Sequence, residues 1–209
     1  MELELIGHYG SDETHALSAW TSTSRDLTEE KRARIPELLT MLASQGHHTP
    51  FEKSMLHFLV RCDDASHIHL LKHRIGVSIN GESARYKELK EPTCHVPDDW
   101  PEEWKIRMNA HFKYCVDLYR LAIFDLEPIL GRKRAKESAR FLLPKANELT
   151  LDISFNWRSF HHFLGLRKKP DAQKEIREIA EQMLQLVKQI PGNPFQHTIA
   201  AFGYEEEAH

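Results

Sequence analysis

Apolar and acidic positions alternate at the start of the chain. From Glu2 to Tyr9, Leu3 and Leu5 are set against acidic neighbours, which predicts a short strand with two unlike faces. The period then lengthens. Asp26 followed three places later by Glu29 reads as a capping box, and Leu38, Leu39, Met41 and Leu42 supply the apolar face of a helix ending at Gly46, with Pro36 as its point of break or restart. From Met55 to Cys62 period two returns, because Leu56, Phe58, Val60 and Cys62 fall on one side, and a second strand is predicted. Asp63 or Asp64 then caps a short helix containing Ile68 and Leu71, whose end delivers Lys72, His73 and Arg74. Ile75 to Ala84, with Gly76, Ser78, Asn80, Gly81 and Ser83, has loop chemistry.

The rest reads as helix. After the punctuation of Pro92 to Pro101, Asp98 or Asp99 is placed to cap a long helix with Pro101 in its first turn and Glu102 and Glu103 at the positive end of its dipole. Trp104, Met108, Phe112, Cys115 and Tyr119 recur every three or four residues as its core face. Further helices are predicted over Ala135 to Leu143, stopping at Pro144, over Leu149 to Leu166, and over Pro170 to Ile190. In the last of these, Ala172, Ile176, Ile179, Met183 and Leu186 form the buried stripe, and Lys174, Glu175, Arg177 and Glu178 the solvated one. Strands near the start and long helices elsewhere predict an α+β fold with a small, mostly antiparallel sheet flanked by helices, in one domain spanning residues 1–209.

Composition narrows the function. A formal net charge of -3 gives no global attraction for nucleic acid, so any phosphate site is local. No apolar run approaches the roughly 20 residues a membrane span requires. MELELIGHYG turns polar within a few residues, so no signal peptide is expected and the protein is expected to be soluble. Three widely separated cysteines, Cys62, Cys94 and Cys115, suit reduced thiols in a cytoplasm better than a disulfide framework. Fourteen histidines, including His47–His48, His161–His162 and the alternating His67 and His69, invite a metal reading. Neither HExxH nor a CxxC pair is present, however, so no metal site is assigned.

The two commonest nucleotide cradles, GxGxxG after a strand and GxxxxGK[ST], are also missing. The central segment offers another anion inventory: Lys72, Arg74 and Arg85 bring charge, Ser78 and Ser83 hydroxyls, and the glycines accessible backbone N–H groups. The same residues also describe an ordinary basic helix end followed by turn formers. Order is what favours the site: two basic clusters flank a Ser, Asn, Gly and Ser loop that closes on Arg85 and Tyr86.

Written out, that segment is KHRIGVSINGESARY, Lys72 to Tyr86, and it resembles the signature of the flavin-dependent (alternative) thymidylate synthases: Arg, His, Arg, a spacer, Ser, and often Arg and Tyr. Eight residues separate Arg74 from Ser83 here. Upstream, GHHTPFE (Gly46 to Glu52) is similar to that family's His, Thr, Pro, Phe, Glu element. Downstream, SARFLLP (Ser138 to Pro144) and the stretch Asn156 to Glu175, with NWRSFHHFLGLR and DAQKE, resemble its C-terminal helices.

The resemblance implies an enzyme that binds FAD, is reduced by NADPH, and transfers a methylene carbon from methylenetetrahydrofolate to C5 of dUMP. Hydride comes from reduced flavin, so no cysteine nucleophile is needed and Cys94 is read as structural or incidental. It places Thr49, Glu52, Lys72, His73, Arg74, Ile75, Asn80, Asn156 and His162 against FAD, with Ser22 as a further contact. For dUMP it implies His69, Ser83, Ala84, Arg85, Arg140 and Arg167, with Arg167 and Ser83 as the catalytic residues. Arg167 beside the uracil carbonyls can stabilise the charge that develops when C5 attacks carbon, and Arg140 can bind phosphate. Asn156 and Arg167, eleven residues apart, return to nearly one helix face at about 100° per residue. A homotetramer with active sites between subunits is implied as well.

Several positions depart from the pattern. Lys72 replaces an arginine, a point charge for a planar fork. His69 stands where a glutamine often holds dUMP, His162 where an asparagine approaches flavin, and Asp171 where a histidine can occur. The loop is one residue longer before Ser78, which sets Glu82 beside Ser83. Three alternatives remain open: a related flavin-dependent modification of a pyrimidine nucleotide, a non-catalytic nucleotide- or RNA-binding protein using the basic loop, and a histidine-ligated metal hydrolase.

Overall fold

The computed structural model describes residues 1–24, 26–83, 89 and 92–205. The fold is α+β with a small four-stranded antiparallel sheet, ordered β1-β2-β4-β3. The strands are β1 (Glu2–Tyr9), β2 (Met55–Asp63), β3 (Val77–Gly81) and β4 (Glu148–Phe155). The helices are α1 (Asp12–Trp20), α2 (Glu29–Ala33), α3 (Ile35–Ser44), α4 (Asp64–Leu71), α5 (Glu102–Leu130), α6 (Arg132–Ala139), α7 (Trp157–Arg167), α8 (Lys174–Lys188) and α9 (Gln196–Ala201). The chain forms two compact units, one of residues 1–2, 60–72 and 80–151 and one of residues 3–59, 73–79 and 152–209, whose boundaries fall within each of the four strands and after Lys72. Among the described residues no helix is long and apolar enough to cross a membrane.

The first unit is built on α5 and α6. Tyr119 and Ile123 of α5 pack with Ala139 and Leu89 in a small core, and the Tyr119 hydroxyl accepts the Leu89 backbone N–H at 3.2 Å. The predicted core face of α5 shifts along the helix. Phe112, Cys115 and Tyr119 are buried, joined by Val116 and Ile123, but Trp104 is 57% exposed because its first turns leave the packed region. The N-cap of α5 is Pro101 rather than Asp98 or Asp99, and proline has no side chain able to cap. In α4, by contrast, Asp63 caps as predicted, accepting the Ser66 N–H at 2.8 Å.

The second unit carries most of the aromatic core. Phe58, Phe155, Phe160 and Phe163 pack ring to ring, and Trp157 stacks on Phe195 at 5.1 Å. Helix α8 buries Ile176, Ile179, Ala180, Met183, Leu184 and Val187, a true 3.6-residue stripe; Leu186 turns to its edge and Ala172 precedes the helix. The early helix restarts at Pro36 as anticipated, splitting into α2 and α3. Its cap is Thr28 rather than Asp26, whose carboxylate instead takes Lys31 at 2.9 Å.

Two segments differ in kind from expectation. Val77–Gly81 is a strand, not loop, since β3 is an edge strand, where Gly and Asn are tolerated. Glu148–Phe155 is a strand rather than the first half of a helix: Leu151, Ile153 and Phe155 are buried at period two, and the helix begins only at Trp157. The remaining helix, Ala135 to Leu143 by expectation, is α6 followed by a 3-10 turn, Arg140–Leu142.

A buried polar chain ties α1, α9 and the start of β2 together. Thr198 Oγ1 donates to Asp12 Oδ1 at 2.6 Å, so it accepts from His15 Nδ1 at 2.9 Å, which leaves His15 Nε2 to accept from Ser54 Oγ at 2.9 Å. His15 is fully buried, and burial pushes its pKa down from 6.5 to about 3. The unfolded chain therefore binds this proton more readily. The contribution of His15 to stability is complete above pH 6.5 and is lost progressively as pH falls toward 3. His15→Gln should flatten this part of the acid limb while costing about 1–3 kcal/mol at neutral pH through the broken buried hydrogen bonds. Urea midpoints measured from pH 8 to pH 4 check both effects, and an unchanged acid limb in the variant refutes the assignment.

Candidate active site

Helix α7 starts at a polar cap. Asn156 Oδ1 accepts the Ser159 N–H at 2.9 Å, satisfying a backbone donor that a first turn otherwise leaves open. The same two residues hold the segment 73–76. Asn156 N–H donates to the Gly76 carbonyl at 3.0 Å, and Ser159 Oγ to the Ile75 carbonyl at 2.5 Å. Gly76 has φ +66, and a Cβ there would lie 2.3 Å from both Asn156 Nδ2 and Ser159 Oγ. Only glycine fits.

The far end of α7 reaches the same segment. Side chains on a helix lean toward its N-terminus, and Arg167, the last residue of α7, donates from Nε to His73 Nε2 at 3.1 Å. His73 Nε2 is thus an acceptor. The ring is 8% exposed and packs edge-on against Phe163 at 5.1 Å. Burial lowers the Arg167 pKa, so its charge is less well hydrated than that of a surface arginine.

Between these anchors lies a cleft of about 680 Å³, within the usual size of a ligand pocket. The 3-10 turn Thr49–Glu52 and the residue before it supply Glu52 and His48, the 73–76 segment supplies Ile75 and Gly76, and α7 supplies Arg158, His161, His162, Gly165 and Leu166. Positions 158, 161, 162 and 165 are one helix face. The Arg158 guanidinium pairs with the Glu52 carboxylate. Ile75 is 88% exposed, a large apolar group offered to whatever enters. Gly165 has no neighbour within 4 Å of a built Cβ, so the cleft is open against bare helix at that point. Burial first, then the charges of His48 and His162, push His161 down to about 4 and keep it neutral.

Of the residues singled out in the sequence, Glu52, Ile75, Asn156 and His162 line this cleft, and His73 and Arg167 are bonded to each other in the same unit. Thr49 begins the 3-10 turn, Arg74 is exposed beside Ile75, and Ser22 lies exposed in the turn after α1, its hydroxyl donating to Ala19 O at 3.0 Å. Lys72, His69, Asn80, Ser83 and Arg140 belong to the other unit: Lys72 is the C-cap that follows α4, His69 lies within α4, Asn80 is in β3 with Ser83 just after, and Arg140 opens a 3-10 turn. Ala84 and Arg85 lie outside the described residues. Cys94 has its thiol pKa raised by burial and then by Glu148, which opposes a nucleophilic thiolate. Among the described residues no cluster of three His, Cys, Asp or Glu is placed to hold a metal ion. Missed in the sequence were Arg158, Ser159, Gly165 and Leu166, while His48 and His161 were noticed only as members of histidine pairs that invite a metal reading. The i, i+3 and i+4 spacing from Arg158 was the available signal.

Comparison with known proteins decides the family. The model described as thymidylate synthase complementing protein matches residues 4–191. The chain belongs to that family. Among its relatives, the flavin-dependent thymidylate synthase of Pseudothermotoga lettingae is 31% identical over 193 residues, covering 90% of this chain and 85% of that protein. That of Geobacter sulfurreducens is 30% identical over 207 residues, covering 94% and 86%. A solved structure, the UMP/dUMP methylase PolB from Streptomyces cacaoi bound with 5-Br dUMP, matches with a TM-score of 0.79 at 26% identity, over 96% of this chain and 94% of that one.

For this member of the thymidylate synthase complementing family, Gly76 is a point of the cleft wall with no room for a side chain. Gly76→Ala should destabilise the protein by about 2–4 kcal/mol, from the left-handed backbone and the overlap with Asn156 and Ser159. Thermal melts read the effect. A loss under about 0.5 kcal/mol would show that the wall yields freely.

Proposed function

We propose that the protein converts dUMP to dTMP, with FAD in the α7 cleft as the redox cofactor, NADPH as reductant and methylenetetrahydrofolate as carbon donor. The observation that carries this reading is the cleft itself, in a chain whose relatives are named flavin-dependent thymidylate synthases. Its donor set suits a flavin nucleotide. Ile75 and Leu166 offer apolar surface to a flat ring, while Arg158 and His162 offer N–H groups to its polar edge or its diphosphate. When bound, the flavin supplies the hydride that completes the methyl group.

The chain's own residues bind and polarise the substrate. Arg167 faces the pyrimidine and holds the negative charge that spreads over the uracil carbonyls as C5 becomes nucleophilic. Weak hydration makes its guanidinium more available to that charge, and His73, as acceptor at 3.1 Å, fixes the direction of its fork. Arg140, Ser83, Ala84 and Arg85 take the phosphate and sugar, with His69 beside them. Lys72, Arg74, Asn80, Thr49 and Ser22 complete the cofactor's surroundings. Free cysteines throughout, two of them buried, fit a cytoplasmic enzyme.

Self-association into a homotetramer, with sites completed between subunits, has its own support. Tyr114, Leu121 and Phe124 of α5 fall on one face and are 62%, 53% and 76% exposed in the single chain, with Ile129 and Phe141 each 76% exposed. Such apolar exposure is characteristic of an interface. Phe124→Asp should lower the mass seen by sedimentation and reduce turnover together; an unchanged tetramer would remove α5 from the interface.

A second reading is methylation of UMP as well as dUMP, favoured by the likeness to the UMP/dUMP methylase. Incubating the protein with methylenetetrahydrofolate, NADPH and FAD, and with dUMP or UMP in parallel, separates the two by product. Arg167→Ala should lower kcat by about 10²–10³-fold while the protein stays yellow, as expected for loss of one electrostatic contact to the transition state. Turnover within twofold of wild type would refute the role of Arg167. A wild-type protein that binds FAD but methylates neither nucleotide would refute the function.

A further inference from the structure

The cleft contains one hydrogen-bonding atom whose state is set from outside it. His161 Nδ1 lies 2.8 Å from Tyr204 Oη, and Tyr204 Oη donates to the His161 carbonyl at 3.2 Å. A phenol has a single proton. If it goes to the carbonyl, Oη is free to accept Nδ1–H and both contacts are satisfied; if it goes to Nδ1, the carbonyl contact is lost. The first arrangement puts the imidazole proton on Nδ1 and leaves the lone pair on Nε2.

The surroundings hold this arrangement in place. Phe202 lies over the His161 ring with centroids 4.2 Å apart, and His48 meets it edge-on at 5.7 Å. Lys168 Nζ sits 5.6 Å from the centre of the Tyr204 ring. Burial keeps the Tyr204 phenol protonated, its pKa pushed up to about 12, and the low His161 value given above keeps the imidazole neutral. Nε2 has no hydrogen-bond partner among the described residues, and it is not sealed within the protein. His161 lines the cleft.

We propose that His161 Nε2 is a fixed hydrogen-bond acceptor in the cleft, locked by Tyr204, and that it receives an N–H or O–H of the bound flavin. This rests on the cofactor assignment made above. An acceptor-only nitrogen repels phosphate, so the group taken at this corner is a ring N–H or a sugar-chain hydroxyl, not the diphosphate. Tyr204 touches no ligand in this arrangement. It is a positioning residue acting through His161.

The test titrates FAD into the apoprotein by flavin fluorescence, for wild type, Tyr204→Phe, His161→Phe, His161→Gln and the double variant Tyr204→Phe/His161→Phe. Loss of one hydrogen bond weakens binding by about 3–10-fold, so each Phe substitution is expected to raise Kd by that factor. The double variant should be no worse than His161→Phe alone, and His161→Gln, which retains an acceptor, should recover part of the loss. Imidazole ¹⁵N spectra supply a second readout: Nε2 of His161 should be unprotonated in wild type and become partly protonated in Tyr204→Phe. Additive losses, unchanged Kd values, or a protonated Nε2 in wild-type protein that binds FAD would each overturn the proposal and leave the proposed function standing. A wild-type protein that binds no FAD removes the cofactor assignment and this inference together.

Discussion

The architecture of the site depends on the close approach of Gly76 to the first turn of α7. Because a Cβ cannot be accommodated there, the 73–76 backbone reaches the capping residues directly, and two carbonyls bond to Asn156 and Ser159. The same contacts satisfy a helix start and fix a loop. Arg167 then reaches from the opposite end of α7 to His73, so one eleven-residue helix sets both limits of a four-residue segment. The basic motif is therefore held less by its own local structure than by a helix more than 80 residues further along the chain.

What the sequence disclosed follows from how local each signal is. Asp63 as a cap, the alternation of β2, the restart at Pro36 and most of the α8 stripe are decided by neighbouring residues, and all were legible. β3 was not, because Val77–Gly81 carries turn-forming residues and owes its extended state to pairing at a sheet edge. β4 was legible but was absorbed into a predicted helix: Leu149, Leu151, Ile153 and Phe155 alternate with Glu148, Thr150, Asp152 and Ser154, which is the period of a strand, and Asn156 marks its end.

The site divides in the same way. Glu52, Ile75, Asn156 and His162 were found through the family resemblance, and the chain folds them into one cleft. Their partners were hidden because partnership is a tertiary property. Glu52 gains meaning from Arg158, which comes from a different element, and the His161 ring gains it from Tyr204, 43 residues later in the chain. The doubled histidines that first suggested metal serve elsewhere: His48 and His161 are set edge to face in an aromatic wall, and His162 faces the cleft.

Gly165 carries a consequence for how such an enzyme can change. It lies within the last turn of a helix in ordinary helical backbone, where alanine is normally the more stable residue by about 0.5–1 kcal/mol. No packing forbids the methyl group. The width of the cleft at this point is therefore maintained by a missing carbon rather than by a barrier, and drift or heat selection acting on stability alone would tend to close it. A substitution that stabilises α7 at this position therefore also narrows the cleft.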